Sequence, residues 1–417
     1  MSADSKIWDA VVIGGGPAGM MAAGRAAERG KRVLLLEKNP ALGKKLLITG
    51  GGRCNVTNNR PVVREMLAKY KKSDKFLFSA FTQFGVVEAL EFFNSRGMAT
   101  KEENEGRIFP VSDRAQSVWD VLVEYMKEGG VTIQTKAEVT NILHDKETQE
   151  IVVSLKNKDQ IRAKSCVVAV GGKSRPETGS TGEGFRWLQK LGHKIVQNSF
   201  ALVPIALSDS WAKKLGGVTL PNVKLSVFQD GKKQDSQKGK ILFTHFGVSG
   251  PTILNMSRGV GELLGYGGEI TIALDLFPGV DNPALKEKIQ TLLISESNKK
   301  LKNVLSKLVP SSLVAPLLTI SGIDGETPNH SVRSEERKKL ISLLKAVPLH
   351  VKGLLGKDKA VVSSGGVVLE EVDFKTMQSR IVPGLFLVGD VLNIDRPSGG
   401  YSLQLCWTTG FVAGDNC

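Results

Sequence analysis

The sequence predicts an α/β protein whose Rossmann-like dinucleotide-binding fold is divided by a long insertion. Three observations predict this class. A strand–turn–helix–strand pattern with a glycine-rich turn opens the chain, a second glycine-rich pattern lies near the C-terminus, and residues 199–361 between them have a different character. The length of 417 residues exceeds that of one ordinary domain, so two or three domains are expected.

The N-terminal pattern is a dinucleotide-binding fingerprint. An apolar strand at 9–13 (DAVVI) leads into the turn GGGPAG, then into a small-residue helix and a second strand at 32–37 (RVLLLE). Gly14 permits the tight turn, Gly16 lets backbone approach a pyrophosphate, and Gly19 lets the helix pack closely on the strand. The helix N-terminus offers N–H groups and a positive dipole end to the phosphates. The expected cofactor-binding residues here are Gly14, Gly16, Pro17, Ala18 and Gly19. A purely structural glycine turn is the alternative.

An acidic residue, Glu37, ends the second strand. Its carboxylate can accept hydrogen bonds from the adenosine ribose hydroxyls. A carboxylate in this place would repel a 2′-phosphate, so the site is not expected to hold NADP. We assign the neighbouring Lys38 to the same cofactor site.

The C-terminal pattern favours FAD over NAD as the resident cofactor. The run at 384–390 (GLFLVGD) predicts an apolar strand that ends in Gly389 and Asp390, and a turn with Gly399 and Gly400 then opens a helix. In FAD folds of the glutathione-reductase type, a late strand returns to the first sheet and delivers an Asp to the ribityl chain. The N–H groups of the following helix can face the flavin pyrimidine ring and stabilise negative charge on it. A plain core strand is the alternative for this run.

The dinucleotide fingerprint occurs once in the sequence, so no dedicated nicotinamide domain is expected. NAD(P)H is therefore expected to dock transiently over the flavin as the reductant.

The middle of the chain supplies the remaining domains. Residues 166–170 (CVVAV) predict a buried strand that ends at Gly171, which we assign to the cofactor site. Short strands with turns over 199–276 predict a small β-barrel or a sandwich. From Asn282 to about Leu355 the pattern is helical and rich in lysine. The predicted domains are a discontinuous FAD-binding domain (1–198 with 362–417), an inserted β-barrel (199–280) and an inserted basic helical domain (281–361).

The composition limits the possible compartments and metal sites. Four widely separated cysteines form no CxxC pair, which fits a reducing cytoplasm, and the five histidines show no metal-ligand spacing, so no metal is expected. No apolar run approaches the roughly 20 residues needed to span a bilayer, and the N-terminus shows no signal peptide. We therefore expect a cytoplasmic protein without a membrane partner.

The net charge of +14 is concentrated in two segments. Residues 281–360 hold fourteen Lys and Arg against eight Asp and Glu, a net of +6, and residues 60–75 hold six against two, a net of +4. A basic surface of this kind attracts polyanions such as nucleic acid. Ordinary solvated helix faces are the alternative explanation.

Six segments carry a family resemblance: GGGPAG, TGGGRCNVTN (49–58), GRIFPVSDRA (106–115), GSTGEGF (179–185), FTHFGVSGP (243–251) and RPSGGYSLQLCW (396–407). Together they resemble the bacterial BaiN-like (YhiN-like) FAD flavoproteins, also called aminoacetone-oxidase-like, over nearly the whole chain. The resemblance implies FAD and a discontinuous FAD domain. It also implies an insert similar to a translation-protein β-barrel with a helical domain like a ribosomal-protein helix–two-turn–helix. One departure is the end at Cys417, where we expect the last helix to continue.

The resemblance leaves the substrate open, because members are assigned bile-acid intermediate reduction, aminoacetone oxidation or dihydrouridine formation in large-subunit ribosomal RNA. A ribosomal-RNA uridine reductase would use the basic segments to hold phosphates. A small-molecule oxidoreductase would act on a steroid-like or amino-ketone substrate, and a third class is a flavin-containing RNA-binding protein without turnover. The residues expected to meet RNA phosphates are Lys299, Lys300, Lys302, Arg337, Lys338 and Lys339.

Two residues are candidates for catalysis. If hydride is added at C6 of uridine, the resulting enolate needs a proton at C5. Cys54 is a candidate acid because a thiol beside a flavin and an Arg can exchange a proton near neutral pH; a small buried packing residue is the alternative. His245 is a second candidate, as a proton donor or a substrate hydrogen-bond partner, with a structural role as the alternative. Tyr401 either stacks on a base or packs in the core. The other residues assigned to the flavin or its phosphates are Gly51, Gly52, Arg53 and Asn55.

Overall fold

The computed structural model describes residues 7–197, 203–355 and 365–417. The chain divides into two compact units, one made of Met1–Phe200 with Val361–Cys417 and the other of Ala201–Ala360. The boundaries expected at 198/199 and 361/362 lie outside the described residues.

The first unit begins with ten strands and seven α-helices. The strands are β1 (Trp8–Ile13), β2 (Val33–Glu37), β3 (Thr57–Asn58), β4 (Thr100–Glu103), β5 (Arg107–Pro110), β6 (Thr132–Thr135), β7 (Val139–His144), β8 (Ile151–Leu155), β9 (Gln160–Val168) and β10 (Ile195–Gln197). The helices are α1 (Pro17–Glu28), α2 (Lys44–Leu47), α3 (Val63–Leu67), α4 (Asp74–Gln83), α5 (Val86–Ser95), α6 (Ala115–Glu128) and α7 (Glu183–Lys190).

The main sheet of this unit has the strand order β6-β2-β1-β9-β8-β7. β1 pairs in parallel with both β2 and β9, and the β1 residues from Ala10 to Ile13 and all five residues of β2 are buried. Continuous apolar runs of this kind are typical of parallel strands covered on both faces. The strand–turn–helix–strand unit expected from the sequence is therefore confirmed.

The second unit contains six strands and six α-helices. In chain order they are β11 (Ile205–Leu207), α8 (Ser210–Lys214), β12 (Thr219–Gln229), β13 (Lys232–Thr244), β14 (Gly247–Ser249), α9 (Pro251–Tyr266), β15 (Ile270–Asp275), α10 (Asn282–Ser295), α11 (Leu301–Leu305), α12 (Ser311–Ser321), α13 (Ser334–Lys345) and β16 (Val347–Leu354).

These strands form a closed barrel with the order β11-β14-β13-β12-β15-β16, so the barrel is the correct choice between barrel and sandwich. The expectation that the helical pattern continues to about Leu355 is wrong, because residues 347–354 form the last barrel strand. Val347 and Leu349 of that strand are fully buried, and their alternation with less buried residues has the period of a strand. The helices α10 to α13 are thus an excursion between two paired barrel strands, and one apolar cluster contains both barrel and helix residues.

The chain then returns to the first unit through β17 (Gly365–Val367), β18 (Leu385–Leu387) and α14 (Tyr401–Asn416). β18 pairs in parallel with β9, so the expected return of a late strand to the first sheet is confirmed. α14 packs against α1 at Gly410 and Gly414, where an added Cβ would lie 2.5 Å from the carbonyl oxygens of Ala18 and Ala22 respectively. These glycines let the first and last helices of the unit approach at backbone distance.

One segment of the first unit, Val63–Ser95, meets length and composition criteria for a membrane span, with a mean hydropathy of 1.3. It contains α3, α4 and α5, and half of its most apolar window is buried inside the fold. The core helices of many folded domains have the same properties.

Candidate functional site

The glycine turn between β1 and α1 forms an open cradle at the end of the sheet. Gly14 has φ 105°, and a Cβ there would lie 2.7 Å from the carbonyl oxygen of Ala169. A Cβ at Gly19 would lie 1.9 Å from the carbonyl oxygen of Gly14, whereas a Cβ at Gly16 would meet no atom within 4 Å. Pro17 begins α1, and no side chain caps the helix. The open side of the turn therefore presents a helix N-terminus, as a pyrophosphate requires.

Glu37 is held rigidly beside this cradle. Its carboxylate accepts hydrogen bonds from the Gly15 N–H at 2.8 Å and from the backbone and side-chain amides of Asn39, each at 2.7 Å. The residue is only 8% exposed. Each carboxylate oxygen has two acceptor sites, so one site, on Oε2, remains for a ribose hydroxyl.

The GSTGEGF segment lies against the same edge. The Lys38 ammonium donates to the Thr181 hydroxyl at 3.1 Å and forms an ion pair with Glu183 at 3.0 Å. Gly171 has φ 73°, and a Cβ there would lie 2.9 Å from the Ser180 hydroxyl oxygen. Both assigned residues, Lys38 and Gly171, therefore lie beside the ends of β2 and β9.

Lys45 is a candidate that the sequence did not single out. Its ammonium donates to the hydroxyls of Ser180 at 2.7 Å and Ser174 at 3.3 Å. Burial lowers the pKa of Lys45, and the carboxylate of Asp390 acts in the opposite direction. The sequence contains the pair Lys44–Lys45 without showing which member faces inward; the short helix α2 exposes Lys44 and partly buries Lys45.

The Gly389–Asp390 turn lies against the first turn of α1. A Cβ at Gly389 would lie 3.2 Å from the Cβ of Ala18. The Asp390 carboxylate is paired with Arg396, whose side chain is 1% exposed and also donates to the Ile394 carbonyl at 2.8 Å. The two glycine patterns from opposite ends of the chain thus form one continuous site.

The glycine-rich loop before β3 is joined to the start of α14. With its amide oriented to satisfy its neighbours, Asn55 accepts the Gly400 N–H at 3.0 Å. The Asn58 side chain donates to the Gly399 carbonyl at 3.1 Å. A Cβ at Gly400 would lie 2.4 Å from the carbonyl of Thr57, so only glycine fits there.

The other residues assigned to the flavin lie in different surroundings. Gly51 and Gly52 are exposed, and a Cβ on either would meet no atom within 4 Å. Tyr401 is 5% exposed, packs edge-on against Tyr70, and its hydroxyl accepts a hydrogen bond from Arg60 at 3.1 Å. The assignment of Arg53 to the flavin or its phosphates stays a prediction. Its guanidinium is paired with Glu103 and Asp113 and lies 4.2 Å from the ring centroid of Phe109, so its charge is already compensated.

The two catalytic candidates are also placed differently from each other. Cys54 is fully buried, and burial raises the pKa of its thiol to about 12, which makes it a poor proton donor near neutral pH. The structure therefore favours its alternative role as a packing residue. His245 is exposed in the turn between β13 and β14 of the second unit, where its ring lies 4.8 Å from that of Phe246.

The structure contains a buried Ser–His–Glu arrangement that the sequence did not predict. His193 Nδ1 lies 2.9 Å from Glu371 Oε2, and His193 Nε2 lies 2.9 Å from the Ser379 hydroxyl. The imidazole is fully buried, and the Ser379 oxygen also accepts the backbone N–H groups of Ile381 and Val382. A hydroxyl engaged in this way is not an accessible nucleophile, so the arrangement fixes the chain between β17 and β18. The two partners of His193, Glu371 and Ser379, lie 178 and 186 positions further along the chain. No local sequence pattern therefore reveals them.

Comparison with known proteins agrees with this geometry. Residues 8–416 match the family described as HI0933-like protein Rossmann domain. The chain belongs to this family. It is 30% identical to the 3-dehydro-bile acid delta(4,6)-reductase of Clostridium scindens, with 97% of each chain covered. It is also 30% identical to the ribosomal RNA dihydrouridine synthase of Escherichia coli K12, over 97% of this chain and 96% of the relative. The expected BaiN-like and YhiN-like kinship is confirmed.

Among solved structures, the 3-ketosteroid delta1-dehydrogenase of Sterolibacterium denitrificans aligns with a TM-score of 0.54 at 13% identity, covering 98% of both chains. This likeness concerns the fold alone. The family is one of oxidoreductases with the Rossmann-type fold of FAD enzymes.

The residues present fit FAD. The open cradle at Gly16, the uncapped start of α1 and the fixed Glu37 carboxylate suit its ADP part. The joined turns at Gly389 and Gly400 supply the second half of such a site.

Proposed function

We propose that this protein is an FAD-dependent oxidoreductase that uses NAD(P)H to reduce a uridine of large-subunit ribosomal RNA to dihydrouridine in the cytoplasm. The observation that carries the proposal is the full-length similarity to the Escherichia coli ribosomal RNA dihydrouridine synthase, which includes the inserted unit. The overall change adds one hydride and one proton across C5=C6 of the base, while NAD(P)H is oxidised to NAD(P)⁺.

The residues of the first unit have separate tasks in this proposal. The start of α1 binds the pyrophosphate and Glu37 holds the ribose. Lys45, beside Asp390, supplies a positive charge close to the bound anion, and the start of α14 offers N–H groups to the flavin end. Bound FAD supplies the hydride transfer, for which the substrate double bond must be conjugated to a carbonyl.

A second candidate is reduction of a steroid-like or amino-ketone small molecule. The similarity to the Clostridium scindens bile acid reductase favours it, at the same identity of 30% and with 97% of each chain covered. Both relatives' names describe reduction of a carbon–carbon double bond, so the chemistry is common and the substrate differs.

The test is to map dihydrouridine in ribosomal RNA from cells with and without this gene, and to repeat the reaction with purified holoenzyme. We expect one position to lose the modification in the deletion strain. With the holoenzyme, NADH or NADPH oxidation should be coupled to dihydrouridine formed in the RNA. Unchanged ribosomal RNA, together with RNA-independent NAD(P)H oxidation that requires a small enone or ketone, would instead establish the second candidate.

A further inference from the structure

The outer face of the β12–β13 hairpin, which belongs to the barrel, carries an unusual group of lysines. On β12, the side chains of Val223, Leu225 and Val227 are buried in the barrel. The residues between and after them, including Lys224 and Phe228, therefore face outward, because successive side chains of a strand alternate between faces.

The register of the hairpin brings like charges together on this outer face. Lys224 lies directly opposite Lys238 on β13, and Phe228 lies opposite Lys233. Like charges placed opposite each other in an antiparallel pair destabilise the sheet. Lys240, two residues beyond Lys238 and before the buried Ile241, extends the same face. We call Lys224, Lys233, Lys238, Lys240 and Phe228 the hairpin face.

No acidic side chain among the described residues compensates these lysines. Across the described residues 7–197, 203–355 and 365–417, none of the four has a carboxylate within ion-pair distance. Asp275 lies opposite Lys224 on β15, but its carboxylate is paired with Lys345 at 2.7 Å. The charge of the hairpin face is therefore free for an external anion.

The lysines of the helical excursion, several of which the sequence predicts to meet RNA phosphates, have different surroundings, and the present inference replaces that prediction. Lys299 and Lys307 are paired with Glu296, while Lys300 and Lys302 are paired with Glu326. Lys338 is paired with Glu335 at 2.9 Å. The helical excursion holds more lysines than the hairpin, but nearby carboxylates neutralise much of their charge. The lysines of the hairpin face have no such partners among the described residues.

We infer that the hairpin face binds the backbone of single-stranded RNA, with the lysines at the phosphates and Phe228 stacked on a base. The inference rests on the proposed function, since it names the surface that would hold the RNA substrate. A row of uncompensated lysines with a partly exposed aromatic ring at one end is a combination that binds single strands independently of sequence. The intervening outward residues, such as Ser226 and Ser236, are small and polar and offer no apolar surface to a protein partner.

The test compares two holoenzyme variants with the same change in charge. The hairpin variant carries Lys224→Gln, Lys233→Gln, Lys238→Gln and Lys240→Gln. The control variant carries Lys299→Gln, Lys300→Gln, Lys302→Gln and Lys338→Gln. Binding to a fluorescein-labelled single-stranded RNA of mixed sequence is measured by anisotropy over a range of salt concentrations, and FAD content and NAD(P)H oxidation with ferricyanide are recorded for each protein.

We expect the hairpin variant to lose RNA affinity at least about tenfold. The slope of log K against log salt is negative, and its magnitude should decrease by about 3, since each of the four lost phosphate contacts to a single strand contributes ~0.7. The control variant should stay within about twofold of the wild type, and both should keep FAD and ferricyanide reduction. Phe228→Leu, which keeps the apolar volume without a stacking ring, should weaken binding about tenfold with little change in slope.

Equal losses in the two lysine variants, or no loss in the hairpin variant, would overturn the inference. Loss of binding to anionic lipid vesicles without loss of RNA binding would overturn it too, in favour of a membrane surface. The proposed function fails separately, if wild-type protein forms no dihydrouridine. If the wild type forms dihydrouridine and the hairpin variant binds RNA as tightly as the wild type, the proposed function stands and only the assignment of this surface is wrong.

Discussion

The indole N–H of Trp407 donates a hydrogen bond to the carbonyl oxygen of Val56 at 2.9 Å, although 351 positions separate the two residues. Trp407 is fully buried and packs edge-on against Phe93, with ring centroids 5.3 Å apart. The contact holds the middle of α14 against the residues that follow the glycines at 50–52, and so supports the joined turns of the candidate site.

Trp407→Phe should therefore destabilise the first unit. The substitution leaves the buried Val56 carbonyl without its donor, which costs about 1–3 kcal/mol in the free energy of unfolding. Urea denaturation followed by fluorescence measures the change. Trp187→Phe is the matched control, because Trp187 is also buried but its indole makes no hydrogen bond with the described residues. A smaller loss for Trp407→Phe than for the control would contradict this prediction.

Gly400→Ala should abolish FAD retention. The added methyl would lie 2.4 Å from the Thr57 backbone and would force the loop away from α14. The combined overpacking and backbone strain are worth at least about 3 kcal/mol. The absorbance of bound flavin per polypeptide reports the outcome. Gly97→Ala is the control. Gly97 also has positive φ, at 81°, but an added Cβ would meet no atom within 4 Å. Only about 1 kcal/mol should therefore be lost from the free energy of unfolding.

Lys45→Met should weaken FAD binding about tenfold, because it removes a partly buried positive charge beside Asp390 while keeping the side-chain length. A charge-assisted hydrogen bond contributes about 1.5–3 kcal/mol, which is consistent with a change of this size. The dissociation constant can be measured by titrating deflavinated protein with FAD. Lys44→Met, at the exposed neighbour, should stay within about twofold of the wild type. Equal effects of the two substitutions would remove Lys45 from the site.

Cys54→Ala should leave catalysis nearly unchanged. The thiol is buried with a pKa of about 12, so it is not poised to protonate a substrate near neutral pH. Rapid mixing of the reduced holoenzyme with substrate gives the single-turnover rate of flavin oxidation. We expect this rate to remain within about threefold and stability to fall by about 1 kcal/mol through lost packing. A rate loss of a hundredfold with flavin intact would restore Cys54 as the acid.

His193 should make the stability of the first unit depend on pH. Burial lowers the pKa of His193 by more than its hydrogen bond to Glu371 raises it. The unfolded chain therefore takes up the proton first, so this contribution is fully present above the unfolded pKa of about 6.5 and is lost as the pH falls. Denaturation between about pH 7.5 and pH 5.5 should show a steeper loss for the wild type than for His193→Gln, which keeps hydrogen-bonding capacity but does not titrate. Parallel profiles would exclude this role.

Much of the fold was accessible from local sequence pattern. The run from β1 through α1 to β2 has apolar and glycine positions whose spacing is sufficient to predict both the elements and the turn. The strand at 385–387 was likewise predictable, because its apolar run and the following Gly389–Asp390 have a known place in FAD folds. The strand at 347–354 was not, since its pairing with β15 and β11 is a long-range contact that a lysine-rich neighbourhood obscures.

The sequence by itself determined the dinucleotide cradle, the late strand and the existence of a basic insert, because each depends on residues close together in the chain. Only the tertiary structure decided how side chains distant in sequence are partnered. It joined Arg53 to Glu103 and Asp113, buried Cys54, and turned Lys45 toward Ser180. The physical reason is that burial and charge compensation depend on neighbours in space, and the neighbours that decide them here are tens to hundreds of residues away in the chain.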